Sequence, residues 1–300
     1  MMLYFILVVI TAGILTAFVA GNNLSAAVGM VIGGRIVTKS TGLAIGIAGF
    51  LAGLYLQGAD LRTASEALLP HSYNIIFYAL LISSLIFAMA SFVRAPLSLI
   101  MALLGAAVGL SLHYGHSIDI GFVRFTVLTW VIAPVVSIAS AFALNRALTR
   151  HEFKDSWRTA VIFKVLLIIV SFFTAFTLGA NTLGFIDEVS GSGYLVLGSM
   201  TAGIIVGSVF LSSGVIKRVG QEIYLMRYTN AFSALFVSSM IVEAATFFGI
   251  PVSNTQTLTS SVFGTGISYK FKAIYLRPFL MIVITWAISP VAGFVLGWII

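Results

Sequence analysis

A polar run, Gly249-Ile250-Pro251-Val252-Ser253-Asn254-Thr255-Gln256-Thr257, stands between an apolar stretch ending at Phe248 and another through Val262 and Phe263. Pro251 cannot continue a regular helix, but it suits the first turn of a new one. Ser253 followed three residues on by Gln256 is the pattern of a capping box, so a helix should start here. Its first backbone N–H groups lack intrahelical acceptors and sit at the positive end of the helix dipole. With the hydroxyls of Ser253, Thr255 and Thr257 beside them, they form an anion site. The alternative is a kinked membrane helix in which those side chains only satisfy the broken backbone. A second chemical residue, Glu243, lies mid-span eight positions before Pro251. An acid at that depth costs about 2.5–3.5 kcal/mol on insertion scales, taking the comparable Asp. It is read as a protonatable coupling group, against a packing role for a paired or protonated acid.

The elements that hold these residues follow from composition. The chain has 300 residues, 60% hydrophobic and 8% charged, with mean hydropathy +1.10. A solvated domain needs about a quarter charged residues. The chain is therefore expected to be an all-α polytopic protein, integral to the cytoplasmic (plasma) membrane, with apolar runs too long for a barrel. It has no cysteine, which excludes disulfides and thiolate-bound metals. The net charge of +7 sits at span ends, where it speaks of orientation and not of nucleic acid. Met1 to Phe18 lacks the basic n-region of a signal peptide.

In chain order, Leu3 to Val19 is a span that Gly21-Asn22-Asn23-Leu24-Ser25 should interrupt. Ala26 to Val37 then reads as a half-helix too short to cross. Spans at Gly42–Gly58, Asn74–Val93 and Phe122–Leu144 follow, the second broken at Arg94-Ala95-Pro96-Leu97-Ser98. Residues 145–158 form a basic connector, cytoplasmic by the positive-inside rule. The second half has spans at Thr159–Leu178, Tyr194–Val215, Asn230–Phe248 and Leu280 to the end, with breaks at Gly179-Ala180-Asn181-Thr182-Leu183 and at Pro251.

The halves repeat. A shift of 155 positions places Ser83 and Ser84 on Ser238 and Ser239, Pro96 on Pro251, Ser98 on Ser253 and Gly109 on Gly264. Nearer the front of each half, Thr16-Ala17-Phe18 recurs as Thr174-Ala175-Phe176, and Asn22 as Asn181. The chain therefore divides into a first membrane repeat (1–144), the connector (145–158) and a second repeat (159–300). Two halves with two broken helices each are the architecture of a secondary transporter, with its site at the midplane between repeats. About five long spans and one short piece per half favour inverted topology.

On these segments the chain resembles the inorganic phosphate transporter (PiT) family, with its sulfate permease relatives. Ala20-Gly21-Asn22-Asn23-Leu24-Ser25-Ala26-Ala27 looks like that family's Gly-Ala-Asn-Asp-Val-Ala-Asn motif, and Gly179 to Leu183 like its second copy. Gly249 to Thr257 looks like its Pro-Val-Ser-Thr-Thr-His motif, with Arg94 to Ser98 a degenerate partner. The resemblance implies inverted repeats holding an inorganic oxyanion between half-helix ends, with Asn22, Asn23, Ser25, Ser98, Asn181, Thr182, Ser253, Asn254, Thr255, Gln256 and Thr257 as binding residues. It places phosphate first and sulfate second. The family's motif acids are here Asn23 and Thr182, and its His is Gln256. Loss of those acids removes the strongest charged ligands of a sodium site. Protons carried by Glu243 are thus favoured over sodium as the coupling ion. A site without an acid also suits a pure acceptor such as sulfate.

Other functions fit less well. No nucleophile–base or metal constellation gathers at one depth, so no enzyme, metal or cofactor is expected. His113, His116 and Asp119 are weakly spaced for a metal and read as loop residues. An uncoupled anion channel would share the same half-helix ends. The partners expected are the oxyanion and the lipid bilayer, and the sequence leaves room for a homodimer.

Overall fold

The structure is a computed structural model that describes residues 2–93, 97–150, 155–212, 227–270 and 276–300. Among the described residues it is all helical. The first half holds α1 (Met2–Gly33), α2 (Lys39–Gln57), a short α3 (Arg62–Leu68), α4 (Tyr73–Val93), α5 (Leu99–His113) and α6 (Ile120–Arg150). The second holds α7 (Ser156–Leu178), a short α8 (Gly184–Ser190), α9 (Tyr194–Val206), α10 (Tyr228–Phe247), α11 (Asn254–Lys270) and α12 (Leu276–Ile299). Among the described residues seven helical segments are long and apolar enough to cross a bilayer, and α4 and α5 contribute shorter apolar helices. Large apolar side chains such as Ile10, Val131, Val135, Ile169 and Ile288 face outward. An exterior of this kind is solvated by lipid, and the chain is an integral, multi-pass membrane protein.

Two expectations need correction. Gly21 to Ser25 does not interrupt the first span, and residues 26–33 form no separate half-helix, because α1 runs unbroken through both. At the matching place in the second half, α7 does not break either. It widens by one residue per turn over Gly179–Leu183 and continues as α8. Neither segment contains a proline, so the backbone ladder can be kept or loosened without being cut. The true interruption that the structure describes lies at Gly249–Ser253. The connector is also shorter than expected, since α6 continues to Arg150 and Asn145 is wholly buried within it. Arg94, Pro96, Glu152, Lys154, Lys217, Arg218, Glu222 and Lys272 lie outside the described residues.

The packing crosses between the halves. α1 lies along α9 and α2 along α7, while α5 lies along α12 and α6 along α11. Each pair has a counterpart under the sequence repeat. The close approaches have the same four-residue spacing in both pairs. A Cβ on Gly49 or Gly53 of α2 would run into the carbonyl oxygens of Phe172 and Phe176 on α7. A Cβ on Gly203 or Gly207, at the start of the second half's equivalent contact, would run into those of Gly13 and Ala17 on α1. Without a hydrophobic drive between helices in lipid, such small-residue contacts supply the dispersion that holds them. Each half also has a proline inside a helix, Pro134 in α6 and Pro290 in α12, one position off the 155-residue shift.

Gly53→Leu and Gly207→Leu should each lower the thermal stability of the detergent-solubilised protein, by about 1–3 kcal/mol or more, as overpacking does. Gly198→Ala, where nothing lies within 4 Å, should leave it unchanged.

Candidate functional site

The break between α10 and α11 is built by backbone hydrogen bonds. Gly249 takes a left-handed φ of +66°, and its N–H donates to the Thr246 carbonyl at 2.8 Å while the Ile250 N–H donates to that of Ala245 at 2.8 Å. This is a Schellman ending, and a glycine is what lets the chain turn there. Pro251 and Val252 then cross in buried, non-helical backbone, and α11 starts at Asn254. The Ser253 hydroxyl accepts from the Gln256 N–H at 3.3 Å, which is the first half of the expected capping box. The second half is not made, because Gln256 Oε1 is buried without a partner.

Buried non-helical backbone needs hydrogen-bond partners. Asn181, fully buried in the widened turn after α7, supplies them. Its Nδ2 donates to the Ile250 carbonyl at 3.1 Å and to Thr246 Oγ1 at 2.9 Å, and its Oδ1 accepts from the Val252 N–H at 3.2 Å. Trp130 Nε1 of α6 donates to the Pro251 carbonyl at 3.4 Å. Thr182, the next residue, donates to Asn254 Oδ1 at 3.2 Å. The wide turn therefore clamps the entry to α11 from the side.

In the first half, Ser98 caps α5, its hydroxyl accepting from the Met101 N–H at 3.4 Å. The starts of α5 and α11 meet. A small polar cavity between them, with about 10 Å³ open to the centre of a water molecule, is lined by Asn23, Leu97, Ser98, Leu99, Ile100, Thr182, Ser253, Asn254 and Thr255. The lining is two-fold in sequence. Ser98, Leu99 and Ile100 stand 155 positions before Ser253, Asn254 and Thr255, and Asn23 is the repeat mate of Thr182. Leu99 with Ile100, and Asn254 with Thr255, are the first two residues of their helices, where N–H groups have no intrahelical acceptor. Two positive helix ends and four hydroxyls, those of Ser98, Thr182, Ser253 and Thr255, thus face one space. Such an arrangement binds an anion through hydrogen bonds and dipoles. The Ser253 and Thr255 hydroxyls, 2.9 Å apart, bond each other on one wall of it.

Six of the expected residues therefore converge: Asn23, Ser98, Thr182, Ser253, Asn254 and Thr255. Asn181 lies behind the cavity, occupied with the break. Gln256 and Thr257 point away from it, with Thr257 Oγ1 bonded to Ser238 at 2.9 Å and to the Asn254 carbonyl at 3.1 Å. Asn22 is half-buried and has a polar partner, and it does not line the cavity. The Ser25 side chain lies outside the described residues. Leu97, Leu99 and Ile100 are lining residues that sequence reasoning missed. They contribute backbone, and the only signal for them was their position after Pro96.

Glu243 sits on α10, half-buried, with Oε2 buried and unpartnered. One turn before it, Ser239 shares a hydrogen bond of 2.7 Å with Thr174, and one turn after it Thr246 holds Asn181. Of the residues weighed for a metal, His113 Nδ1 lies 2.8 Å from the Trp298 carbonyl and Asp119 caps the Phe122 N–H at 3.0 Å, so these groups do not converge.

A helical membrane protein with a polar, anion-suited cavity enclosed between two repeated helix starts is built as a transporter. The sequence profile of the phosphate transporter family matches residues 19–297, and the chain belongs to that family. It is 24% identical to a protein of Methanocaldococcus jannaschii, provisionally named a phosphate permease, over 94% of this chain and 92% of that one. It is 22% identical to the sulfate permease CysP of Bacillus subtilis, over 91% of this chain and 80% of that one. Its fold is similar to that of a sodium-dependent phosphate transporter, with a TM-score of 0.83 and 18% identity over 99% of this chain and 98% of that one.

Asn181→Ala strands the Ile250 carbonyl and the Val252 N–H, and should lower thermal stability by about 1–3 kcal/mol for each buried group left unmatched. Thr255→Val should leave stability nearly unchanged and weaken anion binding. Melting curves of both variants with and without phosphate or sulfate check the contrast.

Proposed function

We propose that this chain is a secondary permease that moves a tetrahedral inorganic oxyanion through inverted repeats, holding it between the starts of α5 and α11. The observation that carries this reading is the repeat-paired lining of the cavity. A two-fold pair of helix N-termini suits a ligand with acceptors on all sides. Phosphate is the first substrate, in keeping with the family and with the names of most relatives. Sulfate is the second reading. It is favoured by a lining without a carboxylate, since a protonated phosphate gains from an ionised acceptor and sulfate does not. Residues 1–144 and 159–300 are the two repeats, and the crossed packing supports that division.

Coupling is assigned to protons through Glu243. Its buried oxygen lies on a helix face whose next turn, Thr246, holds the Asn181 clamp. A change of charge there is felt at the clamp and so at the start of α11. Protonation and anion binding would favour each other, and by linkage each would raise the other's affinity. The sodium reading draws on the name of the structural neighbour, and Asn23 and Thr182 oxygens can still ligate sodium.

Labelled phosphate and sulfate taken up by proteoliposomes, each competed by the other, test the substrate. Either anion moving down an imposed pH gradient supports the proposal, and movement of neither contradicts it. Glu243→Gln should uncouple uptake from the pH gradient while anion exchange persists. Uptake that needs sodium and ignores pH would transfer the coupling role to sodium.

A further inference from the structure

Below the anion cavity the two repeat-related helix seams differ in kind. The α5–α12 seam is dry and locked by backbone. Cβ atoms on Gly105 and Gly109 would strike the carbonyl oxygens of Pro290 and Phe294, and on Gly293 and Gly297 those of Ala102 and Ala106. Among the described residues its hydroxyls are all partnered, Ser111 to Leu68, Thr285 to Ile282 and Ser289 to Thr285. Its unpartnered polar atom is the Trp286 indole N–H.

The α6–α11 seam is polar. The two helices run parallel, since Trp130 meets Pro251, the Ile138 carbonyl lies against Gly264, and Asn145 reaches Thr265 and Ser268. Ser260 and Ser261 are four and three residues before Gly264, so they flank the stripe that faces α6. Ser260, Ser261 and Ser137 are wholly buried, and none of their hydroxyls has a partner. The same holds for Gln256 Oε1 at the cavity end and Asn145 Oδ1 at the far end. A buried hydroxyl usually bonds its own helix or a neighbour, and a file of five unpartnered groups along one seam is what buried water satisfies. From Gln256 to Ser268 the helix rises roughly 18 Å, at 1.5 Å per residue. That is enough to cross half of a hydrocarbon core of about 30 Å.

We propose that the α6–α11 seam is a hydrated passage that leads from the anion cavity to the Asn145 end of the protein, and that the anion takes it on that side of the membrane. The proposal rests on the reading of the cavity as an anion site. The α5–α12 seam, locked by Gly105, Gly109, Gly293 and Gly297 where the α6–α11 seam has, among the described residues, a single such contact at Gly264, is the closed counterpart.

The chain has no cysteine, so single ones can be placed without background. Ser137→Cys and Ser260→Cys lie in the polar seam, and Ser289→Cys in the dry one. Proteoliposomes holding each variant are treated from either side with a charged, membrane-impermeant methanethiosulfonate. Both polar-seam variants should react from one side, the Ser289 variant should not, and labelling at Ser137→Cys or Ser260→Cys should abolish uptake of labelled phosphate and sulfate. The proposal is overturned if neither polar-seam variant reacts, if Ser289→Cys reacts as fast, or if labelled protein transports at the unlabelled rate. If the untreated parent chain moves neither anion, the anion reading fails. Hydration of the seam is still decided by the labelling, and its role as an anion passage falls with that reading.

Discussion

In hydrocarbon a backbone N–H without an acceptor is costly, and here two helices begin at one place with theirs open. The positive ends of α5 and α11 face the same small space, together with hydroxyls and two amide side chains. That arrangement is electrostatically unbalanced until something negative or strongly accepting fills it. The rest of the molecule is organised to hold the two ends there. Asn181 fixes the chain before α11, Trp130 fixes the Pro251 carbonyl, and Ser98 and Ser253 close the first turns.

The crossed packing explains how such a site is kept rigid in a solvent that does not drive helices together. α1, which carries Asn23, and α7, which leads into the widened turn that carries Thr182, are each gripped by a helix of the other half through glycines set against carbonyl oxygens. The cavity lining comes from both halves, Asn23 and Leu97 to Ile100 from one and Thr182 with Ser253 to Thr255 from the other, so the same crossed contacts hold its two walls together.

Much of this was legible in the sequence, for physical reasons. Pro251 and the Ser253–Gln256 spacing marked a helix start, because a missing N–H and a capping hydroxyl leave little choice. Ser98 followed by repeat. The composition fixed the membrane class. Asn22 to Ser25 and Asn181 to Leu183 were misjudged as breaks, because polar residues in an apolar run resemble an interruption while the backbone has no cause to stop. The role of Asn181 was invisible for another reason: its partners are backbone groups about 70 positions away, and such a contact leaves no local pattern. Leu99 and Ile100 look like core residues, and what they contribute is the N–H that every residue has. The unpartnered hydroxyls of α11 leave no mark in the sequence, because their want of partners emerges only when α6 is placed beside them.

The central claim is that one anion sits between the two repeated helix starts. Anomalous diffraction from crystals grown with selenate, the heavier analogue of sulfate, tests it most directly. The account predicts an anomalous peak within hydrogen-bond distance of the N–H groups at Leu99 or Ile100 and at Asn254 or Thr255, with the Ser98 and Ser253 hydroxyls beside it. A well-occupied peak elsewhere in the membrane core, with that space left empty, would contradict it.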